Sequence, residues 1–589
     1  MQIKRYKSLI FAFFWFVSVF AQDIPEHISY TRIYDFVDEL AIDGIVEVNS
    51  VIKPYSRNFI AKKLAEASKK DSLLNKRQRS DLKFFMSEFA IELDTMPKAY
   101  VHWTNKKSFD LSLIQPQFIY HDKYFKCQVR PIVGMDLLYN RKGLIIKRWY
   151  GADIQMDIVK HVSVWGSIRD ISFNGNYLND TYFPDQYAKI NGAKISKPGF
   201  LNDLPGCAYK ESNYGGDYSD FRGGFKAYAW WGSLGLVKDN IVWGDNYHGS
   251  NIISGQAPSF PMITLNLKPC KWFEFNYIHG WMVSNVIDSS YYYTEEQYTD
   301  STSKRHYRPM NKFIAANMFT FTPYPKLNIS IGNSIVYAER SVQAIYFIPF
   351  AFFKSLDHLL TKDLRVENQN SQVFINISSR NIKHLHLYAS FFIDEFSINR
   401  WKSTNKERNL VSYKAGFNLS NWPVKNLAVN FEYTRSNILT YKHSIDAITW
   451  ASNDYNLGHY LGDNSQEFFV SVNYKPIRSL NLNLSYTNSQ KGRDYNYIRT
   501  NTKEILSQDV LKEFTYQNEI VALKAIYEVW NNAYAILNLE YNNARGYDVQ
   551  SDPIEGENRL TAQGYLDAFS PKFYQGENWT LTVGFSIGF

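Results

Sequence analysis

The feature that most constrains this chain is a two-residue alternation that recurs from about residue 98 to the end. In residues 579–589 one set of alternating positions carries large apolar side chains and the other carries glycine, serine or threonine. The same alternation occurs at Leu427, Val429, Phe431 and Tyr433, and again at Leu480, Leu482, Leu484 and Tyr486. Because successive side chains of a β-strand point to opposite faces, the pattern predicts strands with one apolar and one polar face.

The length and ending of the last strand favour a membrane over a water-soluble sandwich, which would show the same alternation. About 9–11 tilted residues cross a bilayer, and the final aromatic Phe589 resembles the signal read by the barrel-insertion machinery. Aromatic residues make up 17% of the chain, yet mean hydropathy is −0.36, as expected when half of each strand faces a polar lumen. We therefore expect an all-β, transmembrane antiparallel β-barrel surrounded by outer-membrane lipid.

The connections between strands also suit such a barrel. Tight turns at 268–271, 322–325, 380–382, 421–423 and 475–478 alternate with long polar stretches at 286–309, 341–369, 399–409, 437–464, 491–513 and 546–575. Bacterial barrels alternate short periplasmic turns and long extracellular loops in this way. The pattern gives about nineteen strands, the first near 109–120; since an even number is required, the choice is 18 or 20, and we expect 18.

The N-terminus predicts export. Residues 1–21 combine Lys4, Arg5 and Lys7 with an apolar run at 9–20 and the small residue Ala21, which is typical of a secretory signal peptide. The run is too short to favour a transmembrane anchor, and no cysteine follows it for a lipoprotein anchor. The predicted organisation is a signal peptide at 1–21, a helical periplasmic or plug domain at 22–97 and the barrel at 98–589, in the outer membrane of a Gram-negative bacterium.

Within residues 22–97 the apolar period changes to that of a helix. Three amphipathic helices are predicted, the first ended by Gly44, the second capped by Ser56, and the third at about 75–93. Ten basic residues between Lys53 and Lys83 form either a solvated face or a contact with an anionic polymer or lipid phosphates. This head is also the predicted filling of a wide barrel.

Several functional classes have no support in the sequence. The formal charge of +8 is too small to indicate a nucleic-acid partner, and Cys127, Cys207 and Cys270 lack metal-type spacing. Hydrolase, metalloprotease and P-loop motifs are missing. His384 and His386 are better explained as lumen-facing residues than as a metal pair. We expect no enzyme, no metal and no cofactor.

Residues 243–261, reading W-G-D-N-Y-H-G-S-N-I-I-S-G-Q-A-P-S-F-P, resemble the central signature of the capsule-assembly Wzi family. The following Trp272, Phe273, Phe275 and Gly280-Trp281 suit its next strand pair. The resemblance implies an 18-stranded outer-membrane barrel, plugged by helices, that binds capsular or similar surface polysaccharide. The head also resembles a RemB-like gliding-motility branch, which implies an accessory role with periplasmic or envelope protein partners.

A second resemblance concerns the head alone. Residues 33–67 are similar to an S-layer homology repeat, with Pro54, Ser56 and Arg57 in the turn that opens the second helix. The resemblance implies contact with a cell-wall polymer through Ser56 and Arg57, and the basic residues Lys62 and Lys63 would join that contact.

The candidate polysaccharide-binding residues combine aromatic rings with hydrogen-bonding groups. They are Trp243, Asn246, Tyr247, His248 and Asn251 in the signature, Trp281 after it, and Tyr292 in the tyrosine-rich loop at 286–309. Such residues stack on and bind sugar rings, but loops carry them for solubility as well. That loop also holds Asp288, Glu295, Glu296 and Asp300, and a mobile loop is a poor place for paired catalytic carboxylates. A diffusion or export channel using the polar lumen remains the alternative.

Overall fold

The computed structural model describes residues 24–93, 95, 102–106, 109–112, 117–122, 124–158, 161–175, 209–212, 215–229, 231–284, 286–296, 303–363, 368–402, 407–453 and 455–588. The predicted signal peptide, Cys207 and Phe589 lie outside these residues. Within them, eighteen antiparallel strands form a closed ring. The ring strands are β1 Phe125–Asn140, β2 Gly143–Ile158, β3 Val162–Gly175, β4 Gly215–Ala229, β5 Gly232–Asp239, β6 Phe260–Cys270, β7 Phe273–Met282, β8 Lys312–Tyr324, β9 Leu327–Ala338, β10 Gln369–Ser379, β11 Leu385–Glu395, β12 Leu410–Ser420, β13 Leu427–Ser436, β14 Ser465–Ile477, β15 Leu480–Gly492, β16 Phe514–Trp530, β17 Ala533–Gly546 and β18 Gly576–Ile587.

The ring closes where β18 pairs with β1, with Val583 opposite Leu137. The strand predicted near 109–120 is wrong as a ring member. Short strands Phe109–Ser112 and Gln117–His121 lie there instead, and Phe118 pairs with Val129 on the edge of β1 that β18 leaves uncovered. This extra edge strand explains the odd count of nineteen, and the expected barrel of 18 strands is confirmed.

The two faces of the strands follow the predicted alternation. Trp579, Leu581, Val583 and Phe585 of β18 are exposed on the outside. Asn430, Glu432 and Thr434 of β13 point inward and are buried. Apolar side chains on the outside and polar ones inside are what a barrel in hydrocarbon requires. The lumen-facing groups are buried because other parts of the chain lie against them.

The head contains three helices close to the predicted positions: α1 Thr31–Ile42, α2 Arg57–Ser68 and α3 Lys76–Glu88. The Ser56 hydroxyl accepts the Phe59 amide, as expected of a helix cap, and Gly44 after α1 has a φ of 77°. Apolar faces of the three helices form one core. None of the helices in the described ranges is long and apolar enough to cross a membrane.

The head lies at the end of the barrel where the strands are joined by short turns. Arg77 Nε donates to Asn426 Oδ1 over 2.9 Å, and Asn532 Nδ2 donates to Glu88 Oε1 over 2.6 Å. Arg32 Nη2 donates to the Arg478 carbonyl over 2.6 Å. Contacts to turns on several sides of the ring place the head across its mouth.

The long connections emerge at the opposite end of the barrel and do not all extend into solvent. Residues 240–259, between β5 and β6, and residues 437–464, between β13 and β14, fold into the lumen. Residues 342–363, between β9 and β10, fold onto the outer surface of the barrel wall. Strands Ile287–Glu296 and Ser303–Pro309 form a separate hairpin. The remaining helices of four or more residues in the described ranges are α4 Phe353–Asp363, α5 Ile398–Lys402, α6 Thr502–Ser507, α7 Ala562–Phe569 and the 3-10 turn Ala344–Phe347.

Candidate functional site: the occupied lumen

The centre of the lumen is filled by residues 240–259, which we call the inward segment. Its backbone pairs with the head: Ile52 lies opposite Trp243 and Lys53 opposite Val242. The Gly244 amide donates to the Val51 carbonyl over 2.7 Å. Gly244 has a φ of 100°, a conformation that favours glycine. The turn that points this segment inward therefore depends on that residue.

Trp243 is the central apolar residue of this packing. It is only 1% exposed and lies in a core with Val51, Ile252 and Phe374. Its ring meets Phe374 edge-on, with centroids 6.4 Å apart. The head, the inward segment and the barrel wall therefore share one hydrophobic core around this indole.

Polar groups of the inward segment are paired with the lumen-facing wall. Asp245 accepts from Asn376 Nδ2 over 2.7 Å, and its own amide donates to Asn376 Oδ1 over 3.1 Å. Asn251 Oδ1 accepts from Ser390 Oγ over 2.6 Å, and Asn251 Nδ2 donates to the Ser412 carbonyl over 3.1 Å. Serine at these wall positions leaves room for the segment to approach, and the pairing meets the hydrogen-bonding needs of buried polar groups.

Glu432 of β13 is the main anchor for the turn at 246–249. Its carboxylate receives Lys414 Nζ over 2.6 Å and the amides of Tyr247 and His248 over 2.5 and 3.1 Å. The Tyr388 hydroxyl donates to it as well. Lys414 and Glu432 are both fully buried, so the charge is balanced by one cation and several N–H and O–H donors.

Asp38 links the head to the wall on the other side of Tyr247. Arg380 Nη2 lies 2.6 Å from Asp38 Oδ1, and the Tyr247 hydroxyl donates to Asp38 Oδ2. Burial would raise the pKa of the Asp38 carboxyl, but Arg380, with smaller effects from His386 and the tyrosine, lowers it to about 2. Asp38 is therefore a carboxylate at neutral pH.

Residues 437–464 form a second layer over the inward segment. Trp450 Nε1 donates to the Ile252 carbonyl over 3.0 Å, and the Tyr441 hydroxyl donates to the Asn251 carbonyl over 2.8 Å. The Ser254 amide donates to the Leu457 carbonyl over 2.7 Å. The sequence predicted a long polar connection here, whereas its aromatic residues pack into the hydrophobic core inside the barrel.

Several cavities remain beside these layers in the described part of the chain. One of about 200 Å³ is lined by Trp165, Lys268, Glu274 and Tyr55 among others. Another of about 160 Å³ is lined by Arg32, Lys147 and Trp149 among others. Since a water molecule occupies roughly 30 Å³, each cavity has room for a small number of waters and is far smaller than a polymer chain would need.

The structure brings together five of the predicted polysaccharide residues. Trp243 and Asn251 are fully buried in the inward segment, and Asn246, Tyr247 and His248 are half-buried. A glycan arriving from the long-loop end does not meet the Trp243 ring or the Asn251 amide in this conformation. The His248 ring is stacked on Phe469, with centroids 3.9 Å apart.

The other two predicted residues lie elsewhere. Trp281 is on the outward face of β7, where its ring lies 5.7 Å from that of His279. The Tyr292 backbone pairs with Tyr307 in the hairpin at the long-loop end, and its side chain lies outside the described part of the chain. Neither residue approaches the inward segment, so the seven candidates do not form one site.

Arg57 serves the head core and is not presented to a polymer. Its side chain is 1% exposed and pairs with Glu26 over 2.6 Å and Glu92 over 2.5 Å, while its guanidinium lies 4.3 Å from the centre of the Phe89 ring. Burial raises the pKa of the Glu26 carboxyl, and Arg57 opposes that shift. The contact predicted through Ser56 and Arg57 therefore conflicts with their roles as cap and buried ion pair.

The basic residues after them differ in their surroundings. Lys62 is exposed on α2, whereas Lys63 pairs with Glu66 over 3.0 Å. His384 lies in a turn with a φ of 67°, so it does not share a strand face with His386, which faces the lumen as predicted. In the described ranges no group of three or more histidine, cysteine or acidic residues could hold a metal ion, and Cys127 and Cys270 are free thiols.

Sequence reasoning missed the charged residues that hold the lumen contents: Asp38, Arg380, Lys414 and Glu432. A signal for two of them was available, because Lys414 and Glu432 occupy lumen-facing positions of predicted strands. A charge there is costly unless it has a buried partner. The two pair with each other across a hairpin, but the Tyr247 and His248 amides that also donate to Glu432 lie far away in the sequence, which the alternation does not reveal.

A closed ring of strands with an apolar outer face and an occupied polar lumen defines an outer-membrane β-barrel. The family model described as capsule assembly protein Wzi matches residues 170–545. Since the match covers more than half of the 589 residues, the chain belongs to the Wzi capsule-assembly family, whose barrels lie in the outer membrane of Gram-negative bacteria. The family resemblance found at residues 243–261 is thereby confirmed.

Comparison of structures agrees at the level of the fold. The barrel is similar to Wzi of Escherichia coli, described as an outer-membrane protein involved in group 1 capsule assembly and a carbohydrate-binding β-barrel. The TM-score is 0.51 at 11% identity, covering 97% of this chain and 100% of that one. Pseudomonas aeruginosa OccK5 gives a TM-score of 0.38 at 9% identity, covering 79% of this chain and 98% of that one. No curated protein sequence matches this chain.

Proposed function

We propose that this barrel binds surface polysaccharide at its long-loop end and retains it on the cell during capsule assembly, without catalysing a reaction. Family membership and the carbohydrate binding described for the Escherichia coli protein support this function. The single observation that carries it is the occupied lumen. The inward segment is hydrogen-bonded to the wall through Glu432 and to the head through its backbone, which favours holding a ligand over passing one.

The occupied lumen also argues against the alternative of a diffusion or export channel. Contacts between the head, the inward segment and residues 437–464 fill much of the described lumen, which a channel would need to keep open. The intact protein should give no steady conductance in planar bilayers. A stable ohmic current from the wild-type chain would favour the channel and contradict the proposal.

We propose that the polysaccharide contact begins with Tyr292 at the long-loop end, and that the half-buried Asn246, Tyr247 and His248 support it from deeper in the lumen, beside Glu432 and Asp38. Aromatic faces and hydrogen-bonding side chains together suit pyranose rings. The buried carboxylates Glu432 and Asp245 are unsuited to acid–base chemistry on a sugar, because each is already committed to donors within the chain.

The test is retention of surface glycan in a deletion strain carrying wild-type or variant protein, together with glycan-array binding by the purified barrel. Tyr292→Ala and His248→Ala should reduce both, with normal amounts of folded protein in the outer membrane. Trp281→Phe, on the outward wall, is the matched aromatic control and should behave as wild type. Full retention of glycan by the deletion strain would contradict the function.

We also propose that the last strand is the contact with the barrel-insertion machinery. The outward residues of β18 are large and apolar, and the chain continues to Phe589. Phe589→Ala should slow assembly of the barrel in cells, measured by the appearance of the heat-modifiable folded form. Phe585→Leu, an apolar exchange at an outward position of β18 four residues earlier, is the control.

A further inference from the structure

The connection between β9 and β10 lies on the outer wall of the barrel. Residues 342–363, here called the outer strap, cover outward side chains of β7, β8 and β9. The Phe350 ring stacks on Phe275 with centroids 4.4 Å apart, and the Phe347 ring stacks on His279 at 4.2 Å. The strap therefore occupies a place where the other strands meet lipid.

The wall beneath the strap breaks the alternation with two outward asparagines. Asn317 Nδ2 donates to the carbonyls of Pro349 and Ala351 over 2.9 and 2.8 Å. Asn333 Oδ1 accepts the Phe353 amide over 2.7 Å, and Asn333 Nδ2 donates to Asn317 Oδ1 over 2.6 Å. Irregular backbone cannot lie in hydrocarbon with unpaired polar groups, and these side chains supply the partners.

Tyr346 of the strap is also held by side chains of the wall. The Tyr277 hydroxyl of the wall donates to the Tyr346 carbonyl over 2.7 Å. The rings of Tyr346 and Tyr337 lie 4.5 Å apart. Both the backbone and the inner face of the strap are thus complementary to this part of the wall.

The outer face of the strap is apolar as well. Phe347, Ile348, Phe350 and Phe352 are between 40% and 55% exposed. Neighbouring lipid-facing residues of the strands, Ile331 and Ile377, are 49% and 41% exposed. The apolar surface of the barrel therefore continues across the strap without interruption. By contrast, residues 437–464 turn their aromatic side chains into the lumen.

Helix α4 returns the chain toward the long-loop end. It starts beside Asn333, and Ser371 Oγ near the start of β10 donates to Asp357 Oδ2 over 2.7 Å. Lys354, His358 and Lys362 lie along this helix, with Leu359 exposed between them. Charged groups on a helix that leaves the hydrocarbon suit the level of the lipid headgroups.

We propose that the outer strap inserts into the outer leaflet of the membrane, with residues 344–353 among the lipid acyl chains and α4 at the headgroup level. The occupant of its exposed apolar face is lipid hydrocarbon, because that face is continuous with the lipid-facing strands. The strap then enlarges the membrane contact of one side of the barrel and covers the outward asparagines. This lipid-binding role is separate from the polysaccharide contact.

The test uses the full mature barrel in phosphatidylcholine vesicles, with Cys127, Cys207 and Cys270 replaced by serine and a nitroxide attached at Phe350→Cys. Collision rates are measured with oxygen, which partitions into hydrocarbon, and with a water-soluble nickel complex. The strand position Ile377→Cys is the lipid control, and the exposed loop position Ser341→Cys is the water control. A label at Ile348→Cys repeats the measurement at a second strap position.

We expect the oxygen-to-nickel ratio at residues 348 and 350 to match residue 377 and to exceed residue 341 several-fold. A ratio like that of residue 341 would place the strap in water and overturn the proposal. Low collision rates with both reagents would mean that protein covers the face, which also overturns it. Asn317→Ala should increase label mobility at residue 350 severalfold while leaving residue 377 unchanged; unchanged mobility at both would show that the wall does not hold the strap.

Discussion

Asp38 in the head and Arg380 in the turn after β10 form a buried ion pair, with Asp38 Oδ1 2.6 Å from Arg380 Nη2. The same guanidinium donates to Ser50 Oγ over 2.8 Å, and Tyr247 donates to the same carboxylate. Three distant parts of the sequence, the head, the inward segment and the barrel turn, therefore meet at one charge pair.

Asp38→Asn should weaken docking of the head. Removing one member of a buried pair leaves the other charge uncompensated, which typically costs about 3–5 kcal/mol. Amide hydrogen exchange across α1 should accelerate while exchange in the ring strands stays slow. The control is Asp71→Asn: its pair with Arg79 is exposed, and exposed pairs contribute about 0–1 kcal/mol. Equal exchange in wild type and Asp38→Asn would contradict this role.

Acid should remove the contribution of Asp38. Its pKa is lowered from 3.8 to about 2 in the folded chain, so its stabilising effect is present above pH 3.8 and is lost as the pH falls through about 2. The difference in head-docking free energy between wild type and Asp38→Asn should shrink by about 2 kcal/mol over that range. The measurement is hydrogen exchange of α1 at several pH values. A difference between wild type and Asp38→Asn that stays constant from about pH 5 to about pH 2 would show that the carboxylate does not titrate as inferred.

The pair formed by Lys414 and Glu432 should hold the turn of the inward segment. Lys414→Met leaves a buried carboxylate without its cation and should lower stability by about 3–5 kcal/mol. Glu432→Gln keeps an acceptor but loses charge, so the amides of Tyr247 and His248 should exchange faster. A double-mutant cycle measured by thermal unfolding in detergent gives the coupling. Additive effects would mean that the two side chains do not interact.

Gly244→Ala should strain the turn that points the inward segment into the lumen. Gly244 has a φ of 100°, and an added Cβ would lie 2.7 Å from Ser250 Oγ. Left-handed backbone at a non-glycine residue costs about 1–3 kcal/mol, so the unfolding temperature should fall. Gly166→Ala is the matched control, because no heavy atom lies within 4 Å of its added Cβ. An identical unfolding temperature for both variants would contradict the argument.

The ring was predictable from sequence because the alternation of apolar and polar residues within each strand shows which side chains lie on each face. The alternation at β13 and β18 gave the outward and inward residues, and the alternation of turns gave the order of hairpins. The helices of the head were predictable for the same reason: their apolar stripes and the Ser56 cap are local signals.

The lumen contents were not predictable in this way. Residues 240–259 look like any long connection, and their direction is set by Asn376, Lys414 and Glu432, which lie more than a hundred residues later. The outer strap did leave a trace in the sequence, since 344–353 is an apolar run within a stretch predicted to be polar. Asn317 and Asn333, polar residues at outward strand positions, were a second signal. Only the folded structure shows that these asparagines bind the apolar run.

The short ladder between Ile52–Lys53 and Val242–Trp243 joins the head, at the short-turn end of the barrel, to the inward segment, which enters from the long-loop end. A pulling force applied to the inward segment from the long-loop end would therefore pass through backbone hydrogen bonds to the head. From there it is distributed to several turns of the ring, including those with Arg380, Asn426 and Asn532. These contacts thus connect the two ends of the barrel along its axis.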